Sequence, residues 1–225
     1  MIFGIIVAAG KSERMGSDVD KAFLSLGTRP VLAYSLLAFE QCPLIDGVIL
    51  VVRKDRMNSA RGLAQIFGCD KVRKIVAGGT SRQASVMIGL AELGDDVRTV
   101  AVHDGARPCV TSDLIAETIK SAKRHGSGVA AVKITDTVKE VDHGMVVART
   151  VDRSKLWAVQ TPQTFKVELL TQAYENVKKK KLAITDEASA VESLGEVVHL
   201  VPAPLANIKI TTPEDLALAA MILKV

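Results

Sequence analysis

The sequence contains few cysteines, and none is placed for a disulfide framework or a cysteine metal site. Cys42, Cys69 and Cys109 are the three cysteines of the 225-residue chain. They form no C-x-x-C pair, and one would be left over if two were bridged. This pattern is typical of reduced core thiols, so we expect a cytoplasmic protein.

The sequence also has no recognisable signal peptide or membrane span. Residues 1–10 are mostly apolar, but they carry no basic segment at their start and are followed at once by Lys11. A signal peptide needs a basic start, and a span needs about 20 apolar residues. We therefore expect a buried strand here and no association with a membrane.

A large excess of charge is missing as well. The 29 Lys and Arg residues against 25 Asp and Glu residues leave a formal net charge of +4. This is too mild to indicate a nucleic-acid surface, but it suits a small polyanionic substrate. The basic run 178–181 lies at a predicted helix end and is interpreted as a solvated face.

With 48% hydrophobic residues, the chain can bury a large core, and we expect one domain over residues 1–225.

Short β-branched segments alternate with helical periodicity along the first part of the chain. The predicted strands are 2–7, 48–52, 74–76, 99–102 and 129–134. The predicted helices are 31–40, 56–67, 81–93 and 112–125. This alternation predicts an α/β domain with a mostly parallel sheet, whose ligands bind at the carboxyl ends of the strands.

The pattern changes after residue 134. Residues 137–141 and 145–151 read as two strands joined by a turn at 142–144. A lone hairpin is marginal in water, so we expect it to pack against another surface, such as a second subunit. Helices at 167–179 and 186–194, a strand at 196–201 and a helix beginning at Pro213 complete the prediction.

The segment after the first strand is suited to phosphate. Ala8, Ala9 and Gly10 let a backbone approach a ligand closely, and successive N–H groups there can hold phosphate oxygens. It is not a Walker A motif, because Ile5 stands where that spacing requires glycine, and G-x-G-x-x-G is absent too. The alternative is a plain tight turn between strand and helix.

A second candidate is Asp104, at the end of another predicted strand. A carboxylate there suits Mg²⁺, which takes carboxylate, water and phosphate oxygens. The alternative is an aspartate that caps the next helix, with Arg107 as its ion partner. His103 has no partner at metal-binding spacing and is interpreted as a packed or hydrogen-bonded residue.

Two further segments complete the candidate site. Gly79, Arg82 and Ser85 combine a glycine turn with a helix start, which suits a base or ribose, although Ser81 as an N-cap explains part of the pattern. Lys209 alternates with apolar neighbours in a predicted strand, so its side chain points either into solvent or into a site.

Together these segments resemble the 2-C-methyl-D-erythritol 4-phosphate cytidylyltransferases of the non-mevalonate isoprenoid pathway, nearly from end to end. The resemblance is carried by Val7-Ala8-Ala9-Gly10, Arg14-Met15-Gly16, Lys21, Gly78-Gly79, Arg82, Ser85, His103-Asp104-Gly105-Ala106-Arg107-Pro108, Asp136-Thr137-Val138-Lys139, Thr150-Val151-Asp152-Arg153, Leu156-Trp157, Thr161-Pro162-Gln163, Thr185-Asp186-Glu187-Ala188-Ser189 and Asn207-Ile208-Lys209.

The resemblance implies a Rossmann-like nucleotidyltransferase fold with helices on both faces of the sheet and a dimerisation arm at about 136–158. It implies Mg²⁺ as cofactor, CTP and 2-C-methyl-D-erythritol 4-phosphate as substrates, and a homodimer. It implies that Arg14 and Lys21 contact the triphosphate beside Ala8, Ala9 and Gly10, and that Asp104 holds the metal. The implied cytidine pocket is Gly79, Arg82 and Ser85, and the implied acceptor-phosphate site is Thr137, Arg153 and the catalytic Lys209, with Thr161 and Thr185 close by and Arg153 coming from the partner's arm.

Two residues depart from the family pattern. Asp20 stands where proline is usual and either pairs with Lys21 or faces solvent, and Ser12 stands where glycine is frequent. Two other functions stay open: a cytidylyltransferase acting on ribitol 5-phosphate, and a silent nucleotide-binding protein of the same fold.

Overall fold

The computed structural model describes residues 1–10 and 20–225. The predictions for Arg14 and Ser12 therefore lie outside the described residues. The strands are β1 (Ile2–Ala8), β2 (Ser25–Leu26), β3 (Arg29–Pro30), β4 (Gly47–Val52), β5 (Val72–Ala77), β6 (Thr99–Asp104), β7 (Ser127–Lys133), β8 (Val138–Val141), β9 (Val147–Val151), β10 (Trp157–Lys166) and β11 (Leu200–Pro202). The α-helices are α1 (Val31–Gln41), α2 (Met57–Ile66), α3 (Arg82–Ala91), α4 (Ser112–His125), α5 (Val167–Lys180), α6 (Glu187–Glu192) and α7 (Pro213–Leu223).

Seven strands form one sheet in the order β11-β7-β10-β6-β1-β4-β5. β1 pairs in parallel with β4 and β6, and β4 pairs in parallel with β5. β10 is antiparallel to both β6 and β7, so it runs against the other strands. The predicted α/β class with a mostly parallel sheet is confirmed.

Helices cover both faces because both faces of the central strands are apolar. Along β1, Ile6 belongs to a buried cluster with α1, α2 and α4, while its neighbour Ile5 belongs to a cluster with α3, α5 and α6. Successive side chains of a strand point to opposite faces, so one apolar strand supplies two cores. In the described ranges, no helix is both long and apolar enough to cross a bilayer.

The sequence pattern failed to predict β10, the ten-residue strand Trp157–Lys166. Its sequence, WAVQTPQTFK, puts Pro162 and several polar residues inside the run, and such residues normally argue against an internal strand. The pairing of β10 with β7 is irregular between Val159 and Gln163, which accommodates the proline. The predicted strand 196–201 is also shorter than expected, since only Leu200–Pro202 pairs.

The hairpin predicted after residue 134 is present as β8 and β9, which, in the part of the chain that the structure describes, pair only with each other. The turn between them passes through Gly144, whose φ of 74° lies in the left-handed region that favours glycine. Val141, Met145 and Val147 on this hairpin are exposed apolar side chains. The hairpin therefore has no core of its own within one chain.

A buried polar cluster joins β10 to β6. The Thr161 hydroxyl accepts from the Asp104 backbone N–H at 3.1 Å and lies 3.1 Å from Nδ1 of His103. His103 Nε2 lies 3.4 Å from the Arg107 carbonyl oxygen. The carbonyl can only accept, so Nε2 carries the proton and Nδ1 accepts from Thr161. His103 is thus a hydrogen-bonded core residue, as expected.

Burial holds His103 in its neutral form. The ring is fully buried and packs against Phe39 with 5.4 Å between ring centroids. Desolvation lowers the pKa of His103 from 6.5 to about 3, with Arg107 and Arg82 adding to the effect and Asp104 opposing it. A second proton on Nδ1 would also break the bond that Thr161 donates.

Acidification should therefore destabilise the protein through His103. Below pH 6.5 the unfolded imidazole binds a proton, while the folded one stays neutral down to about pH 3. Stability present above pH 6.5 is lost as the pH falls, by about 1.36 kcal/mol per pH unit, or about 2 kcal/mol at pH 5. Urea unfolding at pH 7.5 and pH 5 measures this change.

His103→Gln keeps a donor toward Arg107 but does not titrate, so its free energy of unfolding should fall less on acidification. His143→Gln, at an exposed hairpin position, is the matched control and should behave as the wild type. An equal loss of stability in His103→Gln and the wild type would contradict this assignment.

Candidate active site

A cavity of about 440 Å³ opens at the carboxyl ends of β1 and β6. This is the edge at which open α/β sheets bind ligands. The structure brings many of the predicted site residues together here, although the sequence places them far apart. The predicted residues that line the cavity are Ala8, Ala9, Gly10, Lys21, Gly79, Arg82, Ser85, Asp104 and Lys209.

The register of the sheet places Asp104 beside the end of β1. Val7 pairs with Asp104, so the carboxylate emerges next to Ala8. A Cβ at Gly105 would lie 3.1 Å from the Ala8 Cβ and 3.0 Å from Leu32. Glycine at this position therefore lets the chain after β6 lie close to the end of β1. Asp104 does not cap the following helix, because Thr111 is the N-cap of α4.

Asp104 is held between two cations. Arg82 Nε donates to Oδ1 at 2.8 Å, and Lys209 Nζ donates to Oδ2 at 2.6 Å. Arg107 takes no such role, since its Nη1 donates to the Asn207 carbonyl at 2.8 Å. Burial alone would raise the pKa of Asp104, but Arg82 and Lys209 outweigh it and hold that pKa well below its usual range. The carboxylate is therefore ionised at neutral pH.

Arg82 has a second anionic partner in Glu187. Its Nη1 and Nη2 donate to the two Glu187 oxygens at 2.7 and 2.9 Å, a bidentate pair. Glu187 is fully buried and also accepts from the Tyr174 hydroxyl at 2.8 Å. Desolvation would lower the pKa of Arg82, but Glu187 and then Asp104 raise it well above its usual range.

Lys209 reaches the site from an irregular segment rather than from the predicted strand. The Ile210 N–H donates to the Ala106 carbonyl at 2.8 Å, which ties this segment to the loop after β6. Asn207 is fully buried, and its side-chain amide donates to Gln160 and to the Thr161 carbonyl. The Lys209 side chain thus points into the site and not into solvent, which decides between the two orientations that the sequence left open.

The glycine turn after β5 lies against the end of β1. A Cβ at Gly78 would lie 2.3 Å from the Ala9 Cβ, so only glycine fits. The Ser85 hydroxyl accepts from the Gly79 N–H at 3.1 Å and donates to the Ser81 carbonyl at 2.9 Å. Ser81 is the N-cap of α3, as the alternative interpretation expected. Ser85 therefore fixes the shape of the turn.

Asp20 is buried, so it does not face solvent. Its Oδ1 accepts from the Ala22 N–H at 3.2 Å and caps the 3-10 helix Lys21–Phe23, which is one turn long. Its Oδ2 lies 3.5 Å from Arg56 Nε. Burial raises the pKa of Asp20, which the Ala22 N–H and Arg56 partly offset. Asp20 anchors the turn that begins with Lys21.

The predicted acceptor residues lie differently in the single chain. Thr137, Arg153 and Thr185 are exposed. Arg153 donates to the Thr135 carbonyl of its own chain. Thr161 is buried, and its hydroxyl is used by His103 and the Asp104 backbone. Contact of these four residues with a substrate stays a prediction.

Sequence reasoning missed the residues that support the cations. Glu187 was noticed only as part of a shared segment, and Tyr174 and Asn207 had no assigned role. A buried carboxylate 105 positions from its arginine leaves no periodic signal. No local signal marks it either, since a glutamate directly after a capping aspartate, at the start of the short helix EASAVE, is typical of an exposed helix start.

Comparison with known proteins gives a consistent result. The family model for 2-C-methyl-D-erythritol 4-phosphate cytidylyltransferase matches residues 2–225. The protein of that name from Alkaliphilus oremlandii is 42% identical over 221 residues, covering 98% of this chain and 94% of the relative. The one from Desulforamulus reducens is 44% identical over 227 residues, covering 99% and 96%.

Solved structures agree with these relatives. The crystal structure of 4-diphosphocytidyl-2C-methyl-D-erythritol synthase from Anaerococcus prevotii superposes with a TM-score of 0.87 at 32% identity, covering 100% of this chain and 98% of that one. The cytidylyltransferase structure from Thermus thermophilus gives 0.82 at 32% identity, covering 98% of each chain. The chain belongs to the 2-C-methyl-D-erythritol 4-phosphate cytidylyltransferase family.

Proposed function

We propose that this protein transfers the cytidylyl group of CTP to 2-C-methyl-D-erythritol 4-phosphate and releases pyrophosphate, in the synthesis of isoprenoid precursors. Family membership supports the reaction. The observation that carries it is the Asp104 carboxylate, held between Arg82 and Lys209 in a cavity at the ends of β1 and β6. The three buried, unbridged cysteines suit a cytoplasmic location.

The chemistry requires charge stabilisation more than proton transfer. An oxygen of the acceptor phosphate attacks the α-phosphorus of CTP, and the bond from that phosphorus to the bridging oxygen of pyrophosphate breaks. The nucleophile is already ionised, so no general base is needed. Both reactants are anions, and their repulsion is a large part of the barrier.

The cations at the cavity are suited to lower that barrier. Lys21, Arg82 and Lys209 all line the cavity, and Arg82 and Lys209 each donate to Asp104. Because each is anchored to the fold, they need little rearrangement when charge develops. We assign Lys21, with Arg14, to the triphosphate and Lys209 to the acceptor phosphate.

Mg²⁺ is the cofactor we propose, with Asp104 as its protein ligand. Among the described residues, no group of three His, Cys, Asp or Glu side chains could hold a metal. One carboxylate is sufficient, since Mg²⁺ is commonly held by one or two carboxylates together with substrate phosphates. The Asp104 carboxylate is ionised and lines the cavity, so it fits this role. The ion would supply neutralisation of phosphate charge.

Acceptor identity is tested by measuring pyrophosphate release from CTP with two acceptors. We expect turnover with 2-C-methyl-D-erythritol 4-phosphate and little with ribitol 5-phosphate. A preference for ribitol 5-phosphate would overturn the choice of acceptor, and no release with either would favour a silent nucleotide-binding protein. Calorimetric titration of the four nucleoside triphosphates with Mg²⁺ tests the preference for cytosine in the same preparation.

Loss of Lys209 should impair turnover without unfolding the protein. Lys209→Ala removes a cation from the reacting phosphates, and kcat should fall about 100- to 1000-fold, as for the loss of other single charge-stabilising groups. Lys179→Ala, on the exposed face of α5, is the control and should match the wild type. If Lys209→Ala retained the wild-type kcat and KM, Lys209 would have no role in the reaction.

We also propose that the hairpin β8–β9 joins two chains into a homodimer and that Arg153 completes the site of the partner subunit. Within residues 1–10 and 20–225, the hairpin pairs with no other strand, and its exposed apolar side chains include Met145 and Val146. In a two-fold symmetric dimer each hairpin can lie against the other subunit. Arg153 follows β9 and would move with this arm.

Mixing of two impaired variants tests this arrangement. Lys209→Ala and Arg153→Ala should each lose most of their activity alone. In a mixed dimer, one site carries both changes and the other carries neither if Arg153 acts in the partner's site. Unfolding and refolding equal amounts together should then restore about a quarter of the wild-type sites, given random pairing. Absence of recovery in dimers shown to have mixed would mean that Arg153 acts within its own chain.

A further inference from the structure

Glu187 lies on the side of Arg82 that faces away from Asp104, and the proposed reaction gives it no role. Its carboxylate is fully buried and takes two of the three hydrogen bonds that Arg82 makes with these two acids. Arg82 is the first residue of α3, where the helix dipole disfavours a cation. The position of its guanidinium must therefore be fixed by its anionic partners.

The position of Glu187 is fixed by the fold. It is the first residue of α6, where the helix dipole favours a carboxylate, and Asp186 caps that helix by accepting from the Ser189 N–H. Gln163 of β10 donates to Asp186 at 2.9 Å and accepts from the Ala188 N–H at 2.9 Å. The start of α6 is thus tied to the central sheet on both sides of Glu187.

Tyr174 adds a further constraint. Its hydroxyl, on α5, donates to Glu187 Oε1 at 2.8 Å, and both side chains are buried. Burial and the neighbouring carboxylate raise the pKa of Tyr174 well above its usual range, so the hydroxyl remains a donor. Glu187 is consequently held by α5 and α6, independently of anything in the cavity.

The two partners of Arg82 therefore differ in kind. Asp104 lines the cavity and is shared with Lys209, so its hydrogen bonds face the ligand. Glu187 has no exposed surface. A nucleotide or a metal ion in the cavity would compete for the groups of the Asp104–Arg82 pair. It would not reach the buried Glu187 carboxylate, so the Glu187–Arg82 pair would remain.

We propose that Glu187 is a positioning residue that holds the Arg82 guanidinium at the nucleotide cavity through their bidentate pair. A guanidinium carries five N–H groups, and Glu187 and Asp104 together take three, so Arg82 has two with which to meet an anionic nucleotide. The proposal rests on the proposed function, because it assigns that nucleotide as CTP.

A double-mutant cycle on CTP affinity tests the proposal. Glu187→Gln keeps the size of the side chain but removes the charge that orients Arg82. It should raise the Kd for CTP about 10-fold in the wild-type background and less than 2-fold when combined with Arg82→Gln. This non-additivity is expected only if Glu187 acts through Arg82.

Two variants keep the test decisive. Tyr174→Phe leaves the charges of Glu187 and Arg82 intact and should raise the Kd for CTP by a smaller factor, so it serves if Glu187→Gln fails to fold. Glu192→Gln, an exposed position at the end of α6, should leave the Kd unchanged. Circular dichroism confirms that each variant is folded before titration.

Each outcome decides between the two proposals. An equal rise in Kd for Glu187→Gln in both backgrounds, or no rise in the wild-type background, overturns the positioning role and leaves the proposed function intact. Wild-type protein that binds CTP but releases no pyrophosphate with either acceptor overturns the proposed reaction alone. Wild-type protein that binds no CTP overturns both.

Discussion

The pairing of Asp104 with two cations is the interaction on which the site depends. A buried carboxylate is costly unless it is paired and hydrogen-bonded, and Asp104 obtains both from distant parts of the chain. Arg82 comes from α3, Lys209 from the segment before α7, and Thr161 of β10 takes the backbone N–H of Asp104. The hydrogen bonds that stabilise the buried Asp104 carboxylate and its backbone therefore tie α3, the segment before α7 and β10 to the end of β6.

The same arrangement prepares the cavity for anions. Lys209 makes one ion pair with Asp104, whereas Arg82 makes three hydrogen bonds to two acids. Because a phosphate would compete with Asp104 for these cations, the lysine is the partner that exchanges more readily. Because Arg82 also pairs with Glu187, we expect it to move less than Lys209 in such an exchange, although the two cations share one carboxylate.

Local signals in the sequence predicted the elements well where the signal was strong. The helix α4 has Thr111 as N-cap and Gly126, with φ of 89°, as C-cap, and both are readable as helix signals. The sequence pattern failed to predict β10 because Pro162 and its polar neighbours are unusual inside a strand. These polar residues make buried hydrogen bonds: Thr161 bonds to His103, and Gln163 bonds to the start of α6. An alternating apolar pattern indicates a strand only where its buried residues are apolar, and in β10 Thr161, Gln163 and Thr164 are buried polar residues.

The structure brings the predicted cations Lys21, Arg82 and Lys209 to one cavity, whereas the residues that support them were not predicted, for a physical reason. Asp104 ends β6, and the carboxyl ends of parallel strands meet at one edge of the sheet. Lys209 lies in an irregular segment that the bond from the Ile210 N–H to the Ala106 carbonyl ties to that edge. Nothing local indicates that Glu187 is buried, since exposed glutamates at helix starts are common. Its position follows only from packing, in which α5 and α6 close over the face of the sheet opposite α1 and α4.

The difference between cavity residues and their supports explains why two shared segments of the family resemblance are not simply substrate contacts. In Thr185-Asp186-Glu187-Ala188-Ser189, Asp186 and Ser189 cap the helix while Glu187 holds Arg82. In Asn207-Ile208-Lys209, the buried Asn207 bonds to the Thr161 carbonyl so that Lys209 can reach Asp104. Each segment joins one residue that reaches the cavity, directly or through Arg82, to a neighbour that fixes its backbone. A substitution at a supporting position should therefore disturb the same chemistry as one at the cation itself, because the electrostatic benefit depends on where the charge is held.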